Sequence, residues 1–153
     1  IYMVPTILVM KELNQANNLF LKKKFDDAIK KYTQILENDP ENLIALNNMG
    51  YALSKLKKYD VALECYDKSL EIEPDDRIVL VNKISIFRKT GKTIAAIEIC
   101  DKLLEKNPDE LIVLYHKLRL LKKINMFEKS NKICNKILSR YPSNTEVRNE
   151  FIK

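Results

Sequence analysis

Apolar residues recur at helical spacing along the chain, in stripes that short polar segments interrupt. Between residues 43 and 76 one stripe contains Leu46, Met49 and Leu53, and a second stripe runs from Tyr59 to Ile72. Steps of three and four residues place each stripe on one face of an α-helix. The polar segment KLKKYD separates the two stripes and indicates a tight turn. The pattern therefore predicts a pair of helices, and neither helix can bury its stripe without neighbours.

The same pattern returns with a period of 34 residues. A proline, which cannot continue a helix, ends each second stripe, and these prolines are Pro40, Pro74, Pro108 and Pro142. A fixed period of this length is typical of stacked helical units that share a continuous core. We therefore predict an all-α fold in which a single array occupies residues 1–153. Its units are expected at residues 9–42, 43–76, 77–110 and 111–144, and residues 145–153 form a capping helix or begin a further unit.

Two positions of the period hold residues of complementary size. The first is small and then large along the chain, as Ala16, Gly50, Ile84 and Leu118. The second, sixteen residues later, is large and then small, as Tyr32, Tyr66, Cys100 and Cys134. Because a packed core tolerates an exchange of volume better than a net change, we predict that Ile84 compensates Cys100, and Leu118 compensates Cys134, in one packing layer. The cysteines are then buried small apolar residues, and Cys65 is expected to be more exposed.

The second unit carries the residues of a known motif, with Leu46, Met49-Gly50 and Leu53, then Ala62-x3-Tyr66, then Pro74. On these residues the chain resembles a tetratricopeptide repeat protein, whose motif is Trp-x2-Leu-Gly-x2-Tyr, Ala-x3-Phe and Pro. The resemblance implies a right-handed α-α superhelix of antiparallel helix pairs, with the first helices lining a concave groove. It also implies a non-catalytic scaffold that binds a segment of another protein in this groove.

Composition supports an interaction module over an enzyme. With two glycines in the chain there is no Gly-rich phosphate loop, and His116 is the single histidine. The sequence therefore predicts no catalytic site, no metal site and no cofactor. Three cysteines, two of them one period apart, do not form a disulfide framework, which indicates the reducing cytoplasm. No apolar run is long enough to span a membrane.

The resemblance places partner binding on the first helices, and counting along them gives the candidate groove residues. These are Asn17, Asn47, Asn48, Tyr51, Lys55, Asn82, Arg88, Lys89, Tyr115, His116, Arg119, Lys122 and Lys123. The groove is expected to be apolar at its N-terminal end, where Met10, Leu13, Phe20 and Leu21 join it. Its positive charge rises toward the C-terminal end, and no acidic residue is expected in it. The predicted partner is a protein segment that carries apolar and acidic residues.

One polar position of the period leaves two roles open. It holds Asn14, Asn48, Asn82 and His116. In similar arrays an asparagine here often bonds the backbone of the ligand. The alternative is a polar side chain that forms a hydrogen bond within its own helix pair, and for His116 the structural role is favoured.

Two other functions remain alternatives. The net charge of +6, with Tyr51 and Tyr115 available for stacking, permits nucleic-acid binding, but 21 acidic residues on the same array make it unlikely. Self-association is the other alternative, through the apolar N-terminal segment or through an open C-terminal face. In that segment we expect Met3 to be the natural start and Pro5 to lie in the first helical turn.

Overall fold

The computed structural model describes residues 6–151, which form nine α-helices and no β-strand. The helices are α1 (Thr6–Leu21), α2 (Phe25–Asn38), α3 (Leu43–Lys55), α4 (Tyr59–Ile72), α5 (Arg77–Lys89), α6 (Thr93–Lys106), α7 (Leu111–Lys123), α8 (Phe127–Arg140) and α9 (Thr145–Phe151). The predicted alternation of helix, short turn and helix is therefore present in each unit. The expectations for Met3 and Pro5 lie outside the described residues. None of the described helices is long and apolar enough to span a membrane.

Three first helices begin at a side chain that caps them. The side-chain oxygen of Asn42 accepts a hydrogen bond from the Ala45 amide at 3.0 Å. Asp76 accepts from the amides of Ile78 and Val79 at the start of α5, and Asn144 does the same for α9. Such caps satisfy backbone amides that have no partner inside the helix. Asparagine and aspartate are among the residue types that favour this position, so the local sequence helps to fix where α3 and α5 begin.

A residue with positive φ lies in the turn inside each helix pair. Four residues one period apart occupy this position: Lys23, Lys57, Gly91 and Asn125, with φ between 58° and 79°. In the first pair, the Lys24 amide donates to the carbonyl of Leu19, and the Lys23 amide donates to that of Phe20. This is the Schellman arrangement, in which a left-handed residue ends a helix and satisfies its last carbonyl groups. The hydrophobic pattern of the sequence does not predict this position.

The helices fall into two compact units, with a boundary between Asn82 and Lys83 inside α5. In unit 1, which ends at Asn82, α1 packs on α2 and α3, and α3 packs on α2 and α4. Its core contains Ala16 against the fully buried Tyr32. A Cβ atom added to Gly50 would lie 2.6 Å from the Tyr66 ring. The small position of the period therefore faces the large one, as the pattern of sizes predicts.

In unit 2, which begins at Lys83, α7 packs between α6 and α8, and α9 packs on α8. Leu118 and Cys134 lie in one buried cluster, which agrees with the predicted exchange of volume. Val147 of α9 joins the same cluster and is completely buried, so α9 covers the end of this core. Ile84 and Cys100 are also completely buried, and their mutual compensation stays a prediction.

All three cysteines are buried, including Cys65. Its side chain is 7% exposed, compared with 0% for Cys100 and 2% for Cys134. The expectation that Cys65 is more exposed holds only in rank, because α4 turns this side chain into the core beside Tyr66. Burial raises the pKa of the Cys100 thiol to about 12 and also raises that of Cys65. These thiols are therefore protonated at neutral pH and are poor nucleophiles.

Candidate partner-binding surfaces

Two of the candidate asparagines in unit 1 form a hydrogen-bond network with a buried tyrosine. The Tyr32 hydroxyl donates to Oδ1 of Asn17 at 2.6 Å, and Nδ2 of Asn48 donates to the same oxygen at 3.0 Å. The three residues come from α1, α2 and α3. Burial raises the pKa of Tyr32, and Asn48 offsets part of this effect. Asn17 and Asn48 therefore hold three helices in register, which supports the structural role for Asn48.

Asn47 and Tyr115 have a second, shared structural role. Nδ2 of Asn47 donates to Oδ2 of Asp76 at 3.1 Å, and Asp76 is the N-cap of α5. Two periods later, Nδ2 of Asn144 donates to the Tyr115 hydroxyl, and Asn144 is the N-cap of α9. Each residue thus fixes the side chain at the start of the next first helix. The sequence assigns both of them to ligand binding, because spacing alone does not show this internal bond.

Asn82 lies near the second buried tyrosine of unit 1. Burial raises the pKa of Tyr66 well above its usual value, and the neighbouring Asn82 side chain lowers it again in part. Tyr66 and Asn82 repeat the spacing of Tyr32 and Asn48 one period later. The recurring asparagine therefore lies beside the tyrosine hydroxyl of the preceding unit.

Tyr51 and Lys55 line an open pocket of about 360 Å³, and the full set of lining residues is Phe20, Leu21, Lys23, Phe25, Tyr51 and Lys55. Phe20 makes edge contacts with the Tyr51 ring at 5.4 Å and with the Phe25 ring at 6.0 Å between centroids. Nζ of Lys55 lies 4.8 Å from the centre of the Tyr51 ring. The sequence predicts that Phe20, Leu21, Tyr51 and Lys55 lie in the groove. It does not predict this for Lys23 and Phe25, which line the same pocket.

His116 lies among positive charges in unit 2. Its Nδ1 atom is buried and has no hydrogen-bond partner among the described residues. Burial lowers the pKa of His116, and the neighbouring Arg88 and Arg119 lower it further. The imidazole is therefore neutral at physiological pH. Three candidate residues, Arg88, His116 and Arg119, thus lie close enough to influence one another.

Arg119 forms an ion pair with Glu146 of α9. Both side chains remain about half exposed, at 42% and 54%, so the pair contributes little to stability. It nevertheless changes the expected electrostatics, because an acidic residue reaches one of the predicted groove arginines. The side chains of Lys89 and Lys123 are exposed and that of Lys122 is half-buried.

The turns of unit 1 separate its charges. Turns inside the helix pairs carry exposed lysines, namely Lys22, Lys23, Lys24, Lys57 and Lys58, whereas turns between pairs carry Asp39, Glu41, Glu73, Asp75 and Asp76. Because the chain reverses direction at each short turn, the two kinds of turn lie at opposite ends of the packed helices. The aromatic pocket opens at the lysine-rich end.

Two models of the tetratricopeptide repeat family match the chain, at residues 12–42 and 44–76. These are the units that keep a small residue at Ala16 and Gly50 and a tyrosine at Tyr32 and Tyr66. No curated protein matches the chain.

Solved structures share the fold of nearly the whole chain. A tetratricopeptide repeat protein from Parabacteroides merdae is 20% identical, with a TM-score of 0.85 over 97% of this chain and 58% of its own. MamA from Desulfovibrio magneticus RS-1 is 16% identical, with a TM-score of 0.85 over 94% of this chain and 81% of its own. MamA AMB-1 is 18% identical, with a TM-score of 0.81 over 95% of this chain and 79% of its own. The predicted all-α repeat fold is thereby confirmed, and the chain spans little more than half of the first protein.

Proposed function

The chain belongs to the tetratricopeptide repeat family, and from this premise we propose that it is a non-catalytic scaffold that binds a segment of another protein. The partner segment carries apolar and acidic residues, and it binds to the first helices. We further propose that the four repeats form a single array and that the protein acts in the cytoplasm, where its three buried thiols stay reduced.

The observation that supports this proposal best is that some polar residues of the first helices form internal hydrogen bonds, whereas others line an open pocket. Asn17, Asn47 and Asn48 are engaged in internal hydrogen bonds. Tyr51 and Lys55 line an open pocket instead. Tyrosine is among the residues that dominate protein interfaces, and Lys55 places a positive charge beside the partly exposed Tyr51 ring.

The charge of the partner can be tested with a random peptide library displayed on phage, because no partner has to be known in advance. We expect the selected peptides to be enriched in Asp and Glu beside large apolar residues. Their affinity is then measured for the wild type and for the double variant Lys122→Glu/Lys123→Glu. Reversal of these charges is expected to weaken binding by about tenfold, and the loss becomes smaller as salt screens the charges.

The matched control is Lys30→Glu/Lys129→Glu, which makes the same charge change at exposed positions of the second helices α2 and α8. The test variant leaves Arg119 unchanged, because reversal of its charge would also break its ion pair with Glu146. Selected peptides without acidic enrichment, or an equal loss of affinity in both double variants, would count against the proposed groove.

A further inference from the structure

The pocket of unit 1 has the chemistry of a specific anchor site. Three aromatic rings, those of Phe20, Phe25 and Tyr51, surround it in edge contacts. Leu21 adds an aliphatic side chain that is 75% exposed. A volume of about 360 Å³ lies at the lower end of the range for ligand pockets and accommodates one large side chain with its adjoining backbone.

Positive charge surrounds this apolar pocket. Lys23 and Lys55 line it, and none of the described residues in the lining is acidic. The left-handed backbone of Lys23 places this side chain in the turn between Phe20 and Phe25. Asp26 and Asp27 line an adjoining depression, which shares Lys23 and Phe25 with the pocket. The pocket therefore offers apolar contact at its centre and ammonium groups at its rim.

The pocket is particular to the first two units and does not follow from the repeat itself. One period after Phe20 and Tyr51 the chain has Ser54 and Ser85, and one period after Leu21 it has Lys55. A residue that helix packing requires recurs after 34 residues, as the buried Ala28, Ala62 and Ala96 do. Phe20, Leu21 and Tyr51, which line the pocket, do not recur in this way. The aromatic lining is therefore not explained by the architecture of the array.

We propose that this pocket binds one large apolar side chain of an acidic partner segment, with carboxylates on both sides of that side chain. The inference rests on the proposed scaffold function and adds the anchor residue of the partner. The apolar side chain contacts Phe20, Leu21 and Tyr51, and the adjoining carboxylates approach Lys23 and Lys55. Charge complementarity selects this occupant, because basic groups at the rim would repel a basic segment and leave a neutral one without ionic partners.

The test uses the fluorescein-labelled peptide Gly-Glu-Asp-Phe-Asp-Glu-Gly, measured by fluorescence anisotropy with the complete chain. Replacement of its Phe by Ala is expected to weaken binding by about tenfold, because an apolar side chain then stays in water. Replacement of its four acids by the corresponding amides is expected to abolish the salt dependence of binding. On the protein, Leu21→Ser and Lys23→Glu are each expected to weaken binding about threefold or more.

Each variant has a matched control in the same unit. Lys57→Glu makes the same charge change at the same turn position, since φ is 61° there and 58° at Lys23, but Lys57 does not line the pocket. Val61→Ser removes a partly exposed apolar side chain from α4. Circular dichroism verifies that all four variants fold, and the ring-proton NMR signals of Tyr51 follow the peptide on the wild type without any substitution.

Three results would overturn the inference. One is an absence of chemical-shift change in the Tyr51 ring signals when peptide is added, which would show that the peptide does not occupy the pocket. Another is an equal effect of Lys23→Glu and Lys57→Glu, which would show general attraction to a basic protein. A third is a pocket that serves a second copy, shown by Leu21→Ser dissolving a dimer in sedimentation while peptide binding is unchanged. The wider scaffold function would survive each result as long as displayed peptides remain sensitive to Lys122→Glu/Lys123→Glu.

Discussion

At the scale of single residues, the turn inside each helix pair requires a conformation that most side chains avoid. Lys23, Lys57, Gly91 and Asn125 occupy it with positive φ. Only glycine adopts this conformation without steric cost, and asparagine tolerates it better than lysine. The two lysines therefore carry backbone strain, and Gly91 does not. A side chain added at Gly91 would meet no neighbouring atom, so its cost would come from the backbone conformation alone. Gly91 and Asn125 were the sequence signal for this position, but two residues were too few to reveal it.

We expect Lys57→Gly to raise the free energy of unfolding by about 0.5–1 kcal/mol, because relief of strain exceeds the entropy that glycine adds to the unfolded chain. The reverse change, Gly91→Lys, should lower it by a similar amount. Urea denaturation measures both. Lys58→Gly is the control, since Lys58 has a φ of −84° and should gain nothing. Stabilisation by Lys58→Gly as large as that by Lys57→Gly would contradict the argument.

His116 makes stability depend on pH. Its folded-state pKa is lowered by burial and by Arg88 and Arg119, so the unfolded chain binds the proton more readily. The neutral imidazole thus favours the folded state above the ordinary pKa of 6.5, and this contribution is lost as the pH falls below that value. Asparagine occupies the same position of the period in Asn48 and Asn82, which makes His116→Asn a conservative replacement.

The pH values 7.5 and 5.5 lie about one unit above and below the ordinary pKa of histidine. When the pH is lowered from about 7.5 to about 5.5, we expect the free energy of unfolding to fall more in the wild type than in His116→Asn. Urea denaturation at the two pH values gives the comparison, and the carboxylates that both proteins share cancel from it. An equal loss in both proteins would show that His116 titrates normally in the folded state.

At the scale of helices, size is exchanged between the two members of a pair. Gly50 permits the Tyr66 ring to pack directly on the α3 backbone, whereas the larger Leu118 shares a buried cluster with the smaller Cys134. Because protein interiors are close-packed, a change of size at one position favours an opposite change at the other. The sequence pattern predicted this exchange because both members change together, one period at a time.

Gly50→Leu should lower the free energy of unfolding by about 2 kcal/mol or more, since the new side chain collides with a fully buried ring. Tyr66→Cys should cost about 3 kcal/mol through the cavity that it leaves. The double variant should lose clearly less than the two losses combined, because it recreates the Leu118–Cys134 arrangement. A double-mutant cycle from chemical denaturation measures this coupling, and simple additivity would refute it.

At the scale of the molecule, the sequence predicted the fold well, but it did not reveal the internal hydrogen bonds of several candidate groove residues. The helix limits and the caps at Asn42 and Asp76 follow from periodicity and from local turn chemistry, which a sequence displays directly. The roles of Asn17 and Asn47 do not, because their hydrogen-bond partners Tyr32 and Asp76 come from other helices. For the same reason the Arg119–Glu146 pair was missed, so one of the predicted groove arginines has an ionic partner on α9.

The aromatic pocket of unit 1 is a second feature that the sequence predicted only in part. Counting along first helices finds Phe20, Tyr51 and Lys55, but Lys23 and Phe25 reach the pocket from a turn and from the start of α2. A helical face is a good guide to what lies on one helix. A pocket forms where several elements end together, and its composition depends on how these ends are joined.

The buried cysteines have a consequence for how the molecule can be followed in solution. Cys65 belongs to unit 1, and Cys100 and Cys134 belong to unit 2. An alkylating reagent reaches a thiol of this kind only during transient opening of the surrounding structure. Each half of the chain therefore contains a natural chemical reporter of its own breathing motions. Mass spectrometry of the labelled peptides can time these motions separately in the unaltered protein.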